Sequence, residues 1–238
     1  MGYVEDFARD VSYYDPEDKE VKAIINSVNL KDKVLLDAGC GTGRLSFPLA
    51  KFAKAVYGVD SDKRMIAYCK KQQKLKNLFF INQKNESFVK KNDFDALLLA
   101  WPKWDKRLIN AIKNSMRKDT LFIAIINDPS SDASKIYKKF MSKGEIKKWK
   151  KIKLEFVEYL HKEFKVLKYY KINASYLFPS KKAAIEDAEW NLITWFIRTK
   201  IDKRKRQLIE KTIEPYRKGK KYEIPERVFF LVLKLKGS

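Results

Sequence analysis

The 238-residue chain predicts an α/β fold, a doubly wound and mostly parallel sheet with helices on both faces. Three observations predict it. Strand-like apolar runs alternate with helix-like ones from residue 33 to about residue 172, the pattern of parallel strands joined by crossover helices. The first apolar run, Val34-Leu35-Leu36, ends in Asp37 and passes into glycines at every second position, Gly39, Gly41 and Gly43. Such a run reads as a buried strand, a tight turn and a helix start, because glycine lets the backbone fold sharply and approach a ligand. After the sixth strand the pattern changes, and two helix-like stretches separate it from a last apolar run.

In chain order, Pro16 to Val28 reads as a helix packing over the ligand end of the sheet. Strands are expected near 33–38, 55–59, 78–82, 94–100, 120–127 and 165–172. Helices are expected near 43–53, 62–75, 105–117 and 147–163, with Pro48 early in the first, where proline costs less than in a helix interior. Residues 135–143 read as a short separate helix ended by Gly144. Ser180 is an N-cap for a helix carrying Trp190, Leu192, Ile193, Trp195 and Phe196. A very basic helix follows near 203–217, and Pro225 to Lys234 reads as the last buried strand. No repeat or low-complexity linker interrupts the chain. A single domain is expected, with an N-terminal helical segment (1–32), an α/β core (33–172), a helical insertion (173–224) and a final strand (225–238).

A chain of this length can bury a substantial core. It has no apolar run long enough to span a membrane, and its first residues are too acidic for a signal peptide. Cys40 and Cys69 form neither ligand spacing nor a disulfide framework, which points to a reducing cytoplasm. One histidine, His161, practically excludes a His-based metal site. The net charge of +22 is uneven: residues 1–60 carry 8 basic and 10 acidic groups, whereas 135–171 carry 13 and 4, and 198–238 carry 14 and 5. Such a face can steer RNA or another anion. Most of these residues are lysines at solvent-face spacing, which ordinary solvated helices also show, and arginine is the better bidentate phosphate ligand.

The glycine run decides which cofactor. A dinucleotide site wants G-x-G-x-x-G, but here the third glycine comes one residue early and Arg44 stands in its place. A helix opening at Gly43 would offer unpaired N–H groups to an electron-rich group. Asp37, just before the turn, would repel a pyrophosphate and suits an ammonium or sulfonium. Asp60 closes the second apolar run, where an acid takes ribose hydroxyls. Asp37-Ala38-Gly39-Cys40-Gly41-Thr42-Gly43 resembles motif I of class I (Rossmann-like) S-adenosylmethionine-dependent methyltransferases, and Val59-Asp60 resembles their motif II. The resemblance covers nearly the whole chain and is strongest to the small-molecule, type 11-like group related to quinone biosynthesis.

That resemblance implies seven strands with the last antiparallel beside the sixth, and a substrate-covering insertion between strands six and seven. It implies S-adenosylmethionine as cofactor, S-adenosylhomocysteine as product, and no metal. Gly39, Cys40, Gly41 and Gly43, with Ala38, would pass backbone along the methionine part, and Asp37 would favour its ammonium. Asp60 would hold the ribose, with Ser61 and Met65 bordering the adenine. The family's acid after strand three is replaced by Lys84, so Asn85 or Glu86 would serve the adenine instead. Ala100 and Trp101, ending strand four, would face the sulfonium, and Tyr14 or Tyr13 would bring a ring over the methyl group. Each has a packing alternative: Cys40 and Met65 as core, Tyr13 and Tyr14 as anchors, Trp101 and Trp104 as core, Trp190 and Trp195 as an amphipathic face, and His161 as a surface residue.

Methyl transfer from a sulfonium needs alignment and exclusion of water more than a base, and no catalytic base is assigned. Strand four lacks an Asp/Asn-Pro-Pro-aromatic run, and Lys103 after Pro102 is not the cysteine of a covalent cytosine mechanism. Asn127-Asp128 before Pro129 reads as a turn rather than a metal site. The expected function is methylation of a small molecule. An RNA methyltransferase using the basic helices and a non-catalytic cofactor-binding protein are the alternatives. No membrane partner is expected, and the oligomeric state is not set by the sequence.

Overall fold

The computed structural model describes residues 2–196 and 200–237. Residues 197–199 of the expected insertion, and the two terminal residues, lie outside the described residues. The strands are β1 (Val34–Ala38), β2 (Ala55–Asp60), β3 (Leu78–Asn82), β4 (Ala96–Ala100), β5 (Leu121–Asn127), β6 (Phe164–Phe178), β7 (Arg217–Lys218) and β8 (Lys221–Leu235). They form one sheet in the order β3-β2-β1-β4-β5-β8-β6, with the two-residue β7 paired antiparallel to β8. β1 to β5 are parallel, Leu36 lying opposite Tyr57 on one side and Leu97 on the other. The last strands are antiparallel, as in the methyltransferase fold the resemblance implied. β1, β4 and β5 are buried along nearly their whole length, which is why they read as unbroken apolar runs.

The helices are α1 (Tyr3–Tyr13), α2 (Lys19–Ser27), α3 (Ser46–Leu49), α4 (Lys63–Gln72), α5 (Asn85–Val89), α6 (Lys106–Ser115), α7 (Asp132–Lys138), α8 (Lys143–Glu163), α9 (Lys181–Asn191) and α10 (Lys203–Ile213). Side-chain caps set several starts: Asp62 accepts from Arg64 N, Asp105 from Arg107 N and Ser180 from Ala183 N. A five-residue π-helical turn, Leu192–Phe196, continues α9.

Four expectations are corrected. The helix expected over 43–53 is the single turn α3, because Gly43 sits at φ +80° and Pro48 has no N–H to extend the ladder. Gly144 does not end a helix; it lies in the first turn of α8, where Ser142 and Glu145 cap each other reciprocally. α1 lies ahead of the helix expected at 16–28, and its apolar side chains find their partners far along the chain. β6 and β8 run longer than the apolar stretches that announced them.

Cα packing gathers the chain into two compact units. A sheet unit holds Glu20–Asn127, Glu155–Ile172 and Phe229–Ser238, and a helical unit holds Met1–Lys19, Asp128–Leu154 and Asn173–Val228. The core of the sheet unit joins Leu36, Leu97, Phe122, Ala124, Phe156, Leu160, Phe164 and Leu231, all buried. Trp104, half-buried, packs against it with its ring 4.6 Å from that of Phe156. In the helical unit, Tyr3 and Phe7 of α1 each lie 6.2 Å from Trp190 of α9.

Candidate cofactor site

The turn after β1 depends on three positive backbone angles, at Gly39 (φ +78°), Gly41 (φ +55°) and Gly43 (φ +80°). Only glycine takes that region without steric cost. At Gly43 space is short as well, since a Cβ would lie 2.7 Å from the Phe47 ring and 3.2 Å from that of Phe80. The turn is tied down from within. Gly39 and Cys40 donate their N–H groups to the Val59 carbonyl, and Gly43 donates to that of Cys40. With α3 only one turn long, the expected helix-start N–H groups at Gly43 are not the feature that would hold a ligand.

Asp60, at the end of β2, organises the next layer. Its Oδ2 accepts from Gly41 N at 3.0 Å and its Oδ1 from Asp62 N at 2.8 Å. A carboxylate has about four lone-pair positions, so each oxygen keeps one for a ligand hydroxyl. Ser61 beside it is exposed, and Met65 is buried. The Cys40 and Cys69 thiols both reach the Gly41 carbonyl, at 3.8 and 3.3 Å. The bond to Cys69 and burial push the Cys40 thiol well above its ordinary range. The Cys40 side chain is packing, and its backbone is bonded within the turn.

Asp37 ends β1 almost fully buried, with Ser46 donating to it at 2.6 Å. Burial raises its carboxyl to about 6, against the Ser46 bond and the nearby Arg44 charge. Asn85 opens α5 beside the turn, its Nδ2 3.6 Å from where a Gly39 Cβ would be. Asn85 Oδ1 is the one buried side-chain oxygen or nitrogen without a hydrogen-bond partner among the described residues. Such an orphan costs about 1–3 kcal/mol unless a ligand or water satisfies it. The field of Glu86 reaches Arg107.

The end of β4 turns sharply at Trp101, a non-glycine residue at φ +53°. Its N–H donates to the Ile125 carbonyl, while its indole donates to Glu20 Oε1 at 3.0 Å. The other oxygen of Glu20 accepts from Arg44 at 2.6 Å. This fully buried carboxylate on α2 therefore ties the turn after β1 to the turn after β4. Neither Glu20 nor Ser46 was read as part of the site. Glu20 looks like any acid of an amphipathic helix, and only the departure at Arg44 hinted that a partner was needed.

Tyr14, Asp128 and His161 each have partners of their own. Tyr14 belongs to the helical unit, buried, bridging Tyr176 with their rings 5.0 Å apart. Asp128 forms the turn read from the sequence, accepting from Ser130 and from Arg227. His161 is exposed, edge-on to Tyr169. No group of three or more His, Cys, Asp or Glu able to hold a metal occurs among the described residues.

A family model described as "Methyltransferase domain" matches residues 29–169, the span holding the turns after β1, β2 and β4 but not Glu20. The chain belongs to that methyltransferase family. Its fold is the Rossmann-like fold of class I enzymes dependent on S-adenosylmethionine. A Methanocaldococcus jannaschii protein named "probable cobalt-precorrin-6B C(15)-methyltransferase (decarboxylating)" is 28% identical over 131 residues, 53% of this chain and 70% of that protein. Ribosomal RNA small subunit methyltransferase A of Mesomycoplasma hyopneumoniae is 38% identical over 65 residues, 27% of this chain; the chain spans only 25% of that relative's length. Among solved structures, the YcgJ protein of Bacillus subtilis matches with TM-score 0.55 at 12% identity, covering 91% of this chain and 98% of that one. The precorrin 8W decarboxylase of Methanobacterium thermoautotrophicum matches with TM-score 0.50 at 14% identity, covering 91% and 90%. These structural likenesses concern the fold alone.

The residues of this methyltransferase domain fit the family's cofactor. Asp60 has lone pairs for two hydroxyls, Asn85 has an unsatisfied buried oxygen that accepts an N–H, and Gly39 leaves open the space beside it.

Proposed function

We propose that this protein is an S-adenosylmethionine-dependent methyltransferase acting on a small-molecule acceptor. The observation that carries the cofactor half is the Asp60 carboxylate, held by two backbone N–H groups with capacity left on both oxygens. Asp60 would bind the ribose hydroxyls, with Ser61 and Met65 along the adenine edge and Asn85, rather than an acid, accepting from the adenine amino group. Gly39, Cys40, Gly41 and Gly43, with Ala38, would lie along the methionine part, and ionised Asp37 would draw its ammonium. Ala100 and Trp101 would present backbone, the Glu20 bond holding Trp101 in its strained turn. S-adenosylmethionine supplies an activated methyl group, so the chain's task is to bind, orient and keep water out.

A small acceptor is favoured because the helical unit buries polar side chains that no cofactor residue uses, among them Asp187 and Asn191. The RNA reading has its own observation. Lys143, Lys147, Lys148 and Lys150 of α8 are exposed and have no ion pair among the described residues. Transfer of a labelled methyl group to a small-molecule extract or to total RNA separates the two. Labelling of small molecules supports the proposal, labelling of RNA alone supports the alternative, and cofactor binding without transfer to either supports the non-catalytic reading.

A further inference from the structure

The chain has two cysteines, and the sheet unit brings them together. Cys40 lies in the turn after β1 and Cys69 on α4. Both thiols donate to one acceptor, the Gly41 carbonyl, at 3.8 and 3.3 Å. Both are buried, Cys69 completely and Cys40 to 8% exposure. The room for the Cys40 sulfur comes from β2. A Cβ at Gly58 would lie 3.1 Å from Cys40 Sγ and 2.7 Å from the Phe80 ring. A glycine therefore stands in the interior of this strand, where it otherwise only weakens the pairing.

Gly41 is where this pair meets the cofactor site. Its carbonyl takes the two thiols, its N–H is held by Asp60 Oδ2 at 3.0 Å, and its φ is +55°. In the reduced pair each sulfur supplies an S–H donor, whereas a disulfide has none and draws its sulfurs to about 2.05 Å. Oxidation would therefore strip the Gly41 carbonyl of both donors and disturb the residue that Asp60 holds. A carbonyl that loses its donors turns to find others. Burial and the bond to Cys69 hold the Cys40 thiol well above its ordinary range, so it stays protonated and reacts slowly. Such a pair answers a strong oxidant and ignores a weak one.

We propose that Cys40 and Cys69 form an oxidation site, joined as a disulfide by a hydroperoxide, and that the disulfide weakens the cofactor site through Gly41. The oxidation rests on the two thiols alone; its effect on the cofactor rests on the reading above. Cys40, the sulfur with some exposure, is attacked first. The peroxide O–O bond breaks as one oxygen passes to sulfur, giving a sulfenic acid and an alcohol, or water from hydrogen peroxide. The Cys69 sulfur then displaces that oxygen, which leaves as water with the Cys69 proton. Two thiols lose two electrons and two protons, and the peroxide takes up both. Coupling between sites is reciprocal. A bound cofactor therefore favours the reduced pair by the same factor that the disulfide weakens its binding.

The test treats the full chain, reduced and free of cofactor, with hydrogen peroxide, and follows it by mass spectrometry and calorimetry. The expected product is a crosslink between the tryptic peptides 34–44 and 65–70, lighter than their sum by the two thiol hydrogens and absent from Cys69→Ser. S-adenosylhomocysteine affinity should fall about tenfold or more on crosslinking. It should return with dithiothreitol, which leaves any methionine sulfoxide in place. Saturating S-adenosylhomocysteine should raise the reduction potential of the pair by about 30 mV for each tenfold. Oxidation without this crosslink, or no oxidation, overturns the inference. So does a crosslink that leaves the affinity as it was, or one that abolishes it by unfolding the chain, seen as lost near-ultraviolet circular dichroism. A folded, reduced chain that binds no S-adenosylhomocysteine would instead overturn the methyltransferase reading, while the crosslink still decides the oxidation site.

Discussion

The two units share one way of holding a buried carboxylate and differ in another. In the sheet unit, Glu20 meets the Arg44 guanidinium and the Trp101 indole, and Asp37 meets the Ser46 hydroxyl, so each buried carboxylate fastens a turn at the ligand end of the strands. In the helical unit, Asp128 is paired with Arg227 in the same manner, whereas Asp10 and Asp187 share the single Asn191 amide. The first pattern holds backbone in one shape for a ligand of fixed chemistry. The second sets two buried acids against one amide.

The sharpest break of this comparison is at Asp60. Asp60→Ala removes both ribose acceptors and frees the Gly41 amide. Each charged hydrogen bond is worth about 1.5–3 kcal/mol, so S-adenosylhomocysteine affinity should fall about 100-fold or more. Unchanged affinity in calorimetry would place the ribose elsewhere. Glu20→Gln keeps an acceptor for Trp101 but removes the charge that faces Arg44, which is 22% exposed. A loss of about 2–4 kcal/mol in urea unfolding is expected, at the low end for a broken buried pair because Arg44 reaches water. A loss below about 0.5 kcal/mol would deny Glu20 its fastening role. Gly43→Ala forces a Cβ onto Phe47 at positive φ, and should cost about 2–3 kcal/mol by the same measurement.

The Asp37 carboxyl sharpens the contrast through pH. Its folded value of about 6 stands above the unfolded 3.8, so between these values the folded chain holds a proton that the unfolded chain has lost. Its contribution to stability therefore falls as pH rises from about 4 to about 6, by at most about 3 kcal/mol, and is level above. Ligand attraction runs the other way. The ammonium needs the ionised form, so S-adenosylhomocysteine affinity should drop by up to about tenfold per pH unit below about 6. Asp37→Asn should flatten both profiles, and a variant that keeps the wild-type profile would refute this assignment. The smallest effect is expected from Lys143, Lys147 and Lys150, each replaced by Gln. Cofactor affinity should not change, while any RNA affinity should lose salt dependence, its logarithmic slope falling by about 0.7 per phosphate contact removed.

What was legible in the chain is what the backbone makes obligatory. Gly39, Gly41 and Gly43 stand where φ is positive, and Asp60 stands where a parallel strand ends, so residue types there announce geometry. β1, β4 and β5 were readable because both their faces are buried. The rest depended on partners far away in sequence. Glu20 meets Trp101, Asp10 meets Asn191, and the α1 aromatics meet Trp190; none of these pairings leaves a local pattern. Gly144 misled because glycine usually ends helices, while the Ser142–Glu145 capping box that spans it gave the opposite and stronger signal.

The central claim is that the turn from Asp37 to Gly43, with Asp60, holds S-adenosylmethionine. Calorimetric titration of the full chain with S-adenosylhomocysteine at pH 7.5 tests it most directly. One site of about micromolar affinity is predicted, weakening as the pH is lowered through 6. No heat of binding from folded protein at either pH would contradict it.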